Sequence, residues 1–212
     1  AFEAVPGFPL SYWLSPEVLR LFSKLTAYEP SHGWVKQGLG TTDDFRFCRL
    51  RFEVPAGLAE SLPLERLLSS DKAWVPYVKG DNFAPYFDDC PVMVEWANSG
   101  FDVKEYNRIR YGSASRHVVN ESFYGRQGLV FPRRTRRFVP RYYPEGIIFS
   151  VGGQSIFTDG NALAVLGYMS TSLASHLVGA MLGRIDIDPQ FEVGVIKRLP
   201  VPDLSEHEQQ IS

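Results

Sequence analysis

The chain has 212 residues, 44% of them hydrophobic and 22% charged, a composition that excludes a disordered tail, a collagen and a coiled coil. A chain of this length buries roughly 70% of its unfolded surface and needs no disulfide or metal to fold. Its two cysteines, Cys48 and Cys90, are too few for a secreted disulfide scaffold; with no basic-then-apolar leader at the start, they point to free thiols in a reducing, cytoplasmic compartment. The first residue is Ala1, so a piece of a longer polypeptide is expected.

In chain order, Ser15-Pro16-Glu17 is an N-cap, a proline at the first helical position and a first-turn acid. Val18, Leu21, Phe22 and Leu25 then repeat at helical spacing, which predicts an amphipathic helix to about Ala27. Cys48, Leu50, Phe52 and Val54 alternate with Arg49, Arg51 and Glu53, the pattern of a half-exposed strand. A short helix fits Leu64 to Ser69, and strands fit Trp74 to Val78 and Val92 to Trp96. Asp102-Val-Lys-Glu105 has the form of a capping box opening a helix that Gly112 can close. Further strands fit Leu129 to Phe131, Phe138 to Tyr142, Ile147 to Val151, Ser155 to Phe157 and Phe191 to Ile196. Ser205-x-x-Glu208 is a second capping box, predicting a last helix. The pattern predicts an α+β fold with a mixed, largely antiparallel sheet. Tyr12, Trp13, Trp34 and Trp96 are expected in the core rather than as base-stacking platforms.

Ala162 to Leu182 carries no formal charge, so a membrane span has to be weighed. Ser170, Thr171, Ser172, Ser175 and His176 interrupt its second half, and Ser170-Thr171-Ser172 resembles a break with a fresh N-cap. Two packed helices, from about Asn161 to Met169 and Ser172 to Leu182, are expected instead, with no membrane partner.

Charge is unevenly distributed. There are 9 Lys and Arg against 14 Asp and Glu up to Val103, 10 against 2 from Lys104 to Tyr143, and 3 against 8 thereafter. A block of +8 within an acidic chain needs an anionic counterpart, either the protein's own carboxylates or a phosphate backbone. Nine of its ten basic residues are Arg, whose planar fork suits phosphates and guanine edges better than a merely solvated face requires.

Several chemistries lack their residues. Gly38-Leu39-Gly40 is followed by Thr41-Thr42-Asp43 where a dinucleotide loop needs another glycine. No Walker loop is present, and the four histidines stand apart from the cysteines, so no zinc site is expected. Asp88 or Asp89 with Asp102-Val103-Lys104 imitates a metal-dependent nuclease, but helix capping accounts for Asp102. Asp186 and Asp188 fit a solvated acidic loop better than a metal pair. No catalytic residue and no metal ligand is assigned.

The order of segments resembles a known family. Gln37-Gly-Leu-Gly-Thr-Thr-Asp-Asp-Phe45, leading through Arg46 and Phe47 into a strand, resembles the front of the target-recognition region of adenine-specific DNA methyltransferases of the BREX phage-defence type and of fused restriction-modification enzymes. Trp74-Val-Pro-Tyr-Val-Lys79-Gly80 and Val94-Glu-Trp96-Ala-Asn98-Ser-Gly100 are similar to later segments of that region. So are Asn120-Glu-Ser-Phe-Tyr124, Gly128 to Phe131, Arg141-Tyr-Tyr-Pro-x-Gly146 and Phe149 to Phe157. Phe191-Glu-Val-Gly194 through Leu199-Pro-Val-Pro-Asp-Leu204 resembles the exit of Type I specificity subunits. The resemblance implies a recognition domain over residues 1–204 and the start of a spacer helix over 205–212. The family's Asn-Pro-Pro-Tyr tetrapeptide and glycine-rich S-adenosylmethionine loop do not occur here. The implied chain is therefore not an enzyme alone and holds no cofactor, S-adenosylmethionine being expected in the parent enzyme. Its partners would be double-stranded DNA and the catalytic methyltransferase domain of the same polypeptide.

Division of labour follows from the residue types. Arg133, Arg134, Arg136, Arg137 and Arg141 are expected on phosphates. Gln37, Thr41, Thr42, Lys79, Asp81, Asn82, Arg116 and Asn120 are candidates for reading base edges, since Gln and Asn match adenine while Arg and Lys match guanine. Ordinary turn chemistry also accounts for Asp81-Asn82, and Lys79-Gly80 can simply close a hairpin. Two other functions stay open: a protein-interaction module that docks its Arg-rich block on an acidic partner or on the parent catalytic domain, and the metal-dependent nuclease.

Overall fold

The computed structural model describes residues 5–7, 13–55, 58, 74–80, 85–135, 137–182 and 190–204. Among these the fold is α+β, with seven helices and sheets that are antiparallel apart from two parallel pairs. Helices predicted at 64–69 and 205–208 lie outside the described residues, as do Tyr12, Asp186 and Asp188.

The first helix, α1 (Pro16–Lys24), starts as its sequence dictates, with Ser15 Oγ accepting the Val18 N–H at 3.4 Å. It stops at Lys24 because Thr26–Ala27, β1, pairs antiparallel with Pro200–Val201, β11. Next come α2 (Tyr28–Ser31), β2 (Gly33–Lys36), α3 (Asp44–Phe47) and β3 (Cys48–Leu50). The strand expected to reach Val54 ends at Leu50, where the Glu53 carboxylate takes the Leu50 N–H at 2.6 Å and draws Arg51–Glu53 into a 3₁₀ turn. Trp74–Val78 is β4, Tyr86–Phe87 β5 and Val92–Glu95 β6.

Within α4 (Ala97–Tyr111), Asn98, Ser99 and Gly100 turn through left-handed backbone (φ 49°, 59° and 72°) around the buried Trp96, so the regular helix runs from Phe101, beside the predicted start at Asp102. A Cβ on Gly100 would lie 2.5 Å from that indole ring. Gly112 closes the helix in the left-handed conformation, as glycine at this position should. After it come β7 (Gly128–Pro132), β8 (Arg141–Tyr143), β9 (Ile148–Phe149), β10 (Gly153–Thr158), α5 (Ala162–Met169), α6 (Ser172–Leu182) and α7 (Val193–Ile196). The strand predicted from Phe191 to Ile196 is thus a helical turn. Its β-branched residues, Val193 and Val195, pack on the helical core, and the strand that does form here, β11, is taken by β1.

Strand order is β2-β10-β7-β8-β5 in a five-stranded sheet and β3-β6-β4-β9 in a four-stranded one. The larger sheet separates two cores, which explains why β7 and β10 are buried on both faces. Leu129, Phe131 and Ile156 join Leu166, Met169, Leu177 and Val178 of α5 and α6, whereas Val130 and Phe157 join Tyr77, Val94, Trp96 and Phe149. Each such side chain, fully buried, contributes about 1.5–3 kcal/mol. Among the described residues no single helix is long and apolar enough to cross a membrane; α5 and α6 meet at 69°.

Candidate nucleic-acid interface

Five chain segments meet at one rim of the two sheets. Lys79 leaves the end of β4, and Ser150 leaves the end of its parallel neighbour β9, with the Ser150 N–H on the Val78 carbonyl at 3.1 Å. Leu39 docks alongside, its N–H on the Phe149 carbonyl at 2.9 Å and its carbonyl taking the Val151 N–H at 2.9 Å. At the end of β7, the Arg133 N–H reaches the Gly152 carbonyl at 3.2 Å. The fifth segment arrives from the loop after α4: the His117 carbonyl accepts the Gly40 N–H at 2.7 Å, and the Asn120 amide donates to the Gln37 carbonyl at 2.8 Å.

Glycines permit this crowding. A Cβ on Gly38 would lie 2.0 Å from the Phe149 carbonyl oxygen, and one on Gly80, where φ is 75°, would lie 2.8 Å from Gly153 Cα. Gly80 is therefore a crossing point of two chain segments, and β4 and β5 on either side of it lie in different sheets and form no hairpin. Tyr77 adds a clamp from below by donating its hydroxyl to the Leu39 carbonyl at 2.7 Å.

Residues 41–44 are pinned by their own side chains. Thr41 Oγ1 donates to Asp44 at 2.5 Å, Thr42 Oγ1 to the buried Asn107 at 3.0 Å, and Tyr106 Oη to Asp43 at 3.2 Å. Lys79 forms an ion pair with Asp44, which also accepts from Cys48 Sγ at 3.6 Å. Burial raises the Asp44 carboxyl, but the Lys79 and Thr41 hydrogen bonds and the Lys79 charge outweigh it and hold the group below the ordinary aspartate value. Asp44 is thus the hub that ties Lys79 to this loop, a role for which the sequence offered only its place in an acidic pair.

Of the residues predicted to read bases, Gln37, Thr42, Lys79, Arg116 and Asn120 belong to these converging segments, with Thr42, Arg116 and Asn120 exposed. Thr41 is only 3% exposed and committed to Asp44, so it supports the loop instead of facing outward. Asp81, Asn82 and Arg136 lie outside the described residues. Arg133, Arg134 and Arg137 are exposed; Arg133 also sits 3.1 Å from Glu192. Arg141 does not share their surface. Its strand begins at Arg141 and not at Phe138, which places Arg141 on the same inward face as Tyr143, and there it pairs with Asp88 at 2.9 Å.

The nuclease pattern is likewise dispersed. Asp88 is committed to Arg141 and Lys104 to Glu121 at 2.6 Å, and no group of three or more His, Cys, Asp or Glu converges among the described residues.

The sequence reading missed Phe45, which is 96% exposed, between the rim and a cleft of about 550 Å³. A signal was present: in a four-residue helix containing Phe45 and Phe47, only one ring can reach the core, and Phe47 does so.

No family model matches the chain. It is 25% identical over 203 residues to the adenine-specific methyltransferase PglX of Lacticaseibacillus casei (strain Zhang), which covers 94% of this chain and 17% of that protein. It is 23% identical over 202 residues to the adenine-specific methyltransferase BrxX of Escherichia coli O9:H4 (strain HS), covering 94% of this chain and 15% of that one. Its distant relatives are adenine-specific methyltransferases. The chain spans less than a fifth of the length of either.

Proposed function

We propose that this chain is the DNA target-recognition domain of an adenine-specific methyltransferase of the BREX phage-defence type, or of a fused restriction-modification enzyme. It grips duplex DNA and reads its sequence, while a catalytic domain elsewhere in the same polypeptide binds S-adenosylmethionine and flips the adenine. The observation that carries this reading is the convergence of Gln37, Lys79, Asn120 and Arg133, widely separated in sequence, on one rim built from strand ends and the loop after α4. Such an edge suits recognition, because loops held by a scaffold can offer donors and acceptors to a groove without ordering themselves on contact. Arg133, Arg134, Arg136 and Arg137 would meet phosphates. Gln37, Thr42, Lys79, Asp81, Asn82, Arg116 and Asn120 would read bases.

A titration of the chain with duplex DNA at several salt concentrations tests the reading. Without the cognate site, binding at roughly 10⁻⁴ to 10⁻⁶ M is expected, with log K falling against log[salt] at a slope of about −3 to −4 for four phosphate contacts. No binding, or a flat slope, would overturn it.

One observation favours a protein-docking module instead. Among the described residues, four basic residues of the Arg-rich block already have carboxylate partners within the chain: Lys104 with Glu121, Arg108 with Glu105, Arg133 with Glu192 and Arg141 with Asp88. The same titration separates the two, since a docking module has no reason to release counterions from DNA.

A further inference from the structure

Phe45 is unaccounted for by the fold. At 96% exposure its ring gains nothing from hydrophobic burial, yet the backbone that carries it is fixed on all sides. Asp43 caps the turn by accepting the Arg46 N–H at 3.2 Å, the Phe45 carbonyl accepts from Arg49 Nη1 at 2.7 Å, and residues 41–44 are held by Asn107, Tyr106 and Lys79. The backbone under the ring is therefore preorganised, while the ring meets no aromatic partner among the described residues.

What surrounds it decides the class of partner. The cleft it lines has the charged Asp44, Arg49, Glu53 and Lys79 and the less polar Cys48, Leu50 and Val92 in its walls, and the exposed Arg46 and Arg51 lie in the same segment. A protein-docking face wants a contiguous apolar area with few charges at its centre. An exposed ring on a fixed backbone, with Arg46, Arg49, Arg51 and Lys79 interleaved with Asp44 and Glu53 around it, fits the arrangement by which an apolar wedge enters a base step while neighbouring basic groups hold the phosphates.

We propose that Phe45 inserts its ring into the base stack of bound duplex DNA, at a step adjoining the bases read by the rim loops. This rests on the recognition reading of the rim. The ring supplies stacking that is indifferent to base identity, and the local unstacking it causes favours flexible pyrimidine–purine steps at that position.

The experiment uses duplexes selected from a randomised pool on the wild-type chain, with 2-aminopurine replacing adenine at successive positions. Wild-type binding should raise the probe's fluorescence several-fold at one step. Phe45→Ala should abolish that rise and weaken binding about 5- to 150-fold, the range set by loss of one stacked base. Phe45→Tyr, which keeps the ring, should behave as wild type. Because the ring lies outside both cores, Phe45→Ala should unfold at the wild-type temperature, and its salt slope should be unchanged. Wild-type affinity in Phe45→Ala, or weakened binding with no fluorescence change at any position in the wild type, would overturn the wedge and leave the recognition reading standing. Failure of the wild-type chain to select or bind any duplex would overturn both.

Discussion

Arg141 Nη2 lies 2.9 Å from Asp88 Oδ2 with both side chains buried, and Asp88 Oδ1 also takes the Cys90 N–H at 2.9 Å. The pair therefore joins β8 to the segment after β5. Asp88→Ala should strand the guanidinium in the interior and cost about 3–5 kcal/mol, whereas the double change Asp88→Leu with Arg141→Met should cost far less. Urea unfolding of the three proteins measures both. An equal loss in the single and double variants would mean that the pair adds nothing beyond its packing.

Exposed arginines behave oppositely. Replacing Arg133, Arg134, Arg136 and Arg137 by Ala should leave unfolding nearly unchanged, because exposed ion pairs such as Arg133–Glu192 contribute about 0–1 kcal/mol. The same variant should flatten the salt dependence of DNA binding by about 3.6 units, at close to 0.9 of a counterion for each of the four lost phosphate contacts. A wild-type slope in this variant would turn the Arg-rich block towards protein and away from DNA.

At the rim, Asp44 holds back the charge of Lys79. Asp44→Asn should free that ammonium, tighten non-specific DNA binding and steepen the salt slope by up to about 0.9. Lys79→Ala should instead alter preference among base sequences, by roughly 1–3 kcal/mol. Acid unfolding gives an independent check. The folded-state value of Asp44 is depressed, so its contribution to stability is complete above its ordinary value near about pH 4 and disappears as the pH falls through the lower folded value. Asp44→Asn should lose that part of the acid dependence.

Cys48 and Cys90 are free. Burial first, then the charge of Asp44, pushes the Cys48 thiol up to about 12; burial and Asp88 push Cys90 up as well. Alkylation at pH 8 should be slow in the native chain and should give two adducts by intact mass after unfolding, because the thiolate is the reactive form. No adduct under denaturing conditions would mean that the two had paired.

Where local signals were strong, the sequence predicted the fold well. Ser15-Pro16-Glu17 opens α1, Gly112 closes α4, and Ser170-Thr171 breaks the uncharged stretch into two helices. It failed where distant segments decide. Arg141 looked exposed because alternation alone cannot say that both faces of a strand are covered, and the Phe191 to Ile196 run has strand residues but packs as a helical turn on the core of α5 and α6. At the rim, Gln37, Lys79 and Asn120 were legible as polar loop residues, but their convergence depends on backbone crossings such as Gly80 over Gly153, which leave no local trace. Phe45 was hidden for the converse reason: an apolar residue is assigned to the core by default, and only its solvent exposure reveals otherwise.

The crossings at Gly38 and Gly80 have a consequence for how such a domain can change. The contributors to the rim come from four strand ends and the loop after α4, and none of the five shares a turn with another, so each can be lengthened, shortened or re-lettered beyond its backbone contacts one at a time. The two glycines are the exception, since they set where the ends meet. The alphabet of the surface is thus free to drift one loop at a time, while the frame that holds the letters in line tolerates no side chain at its joints.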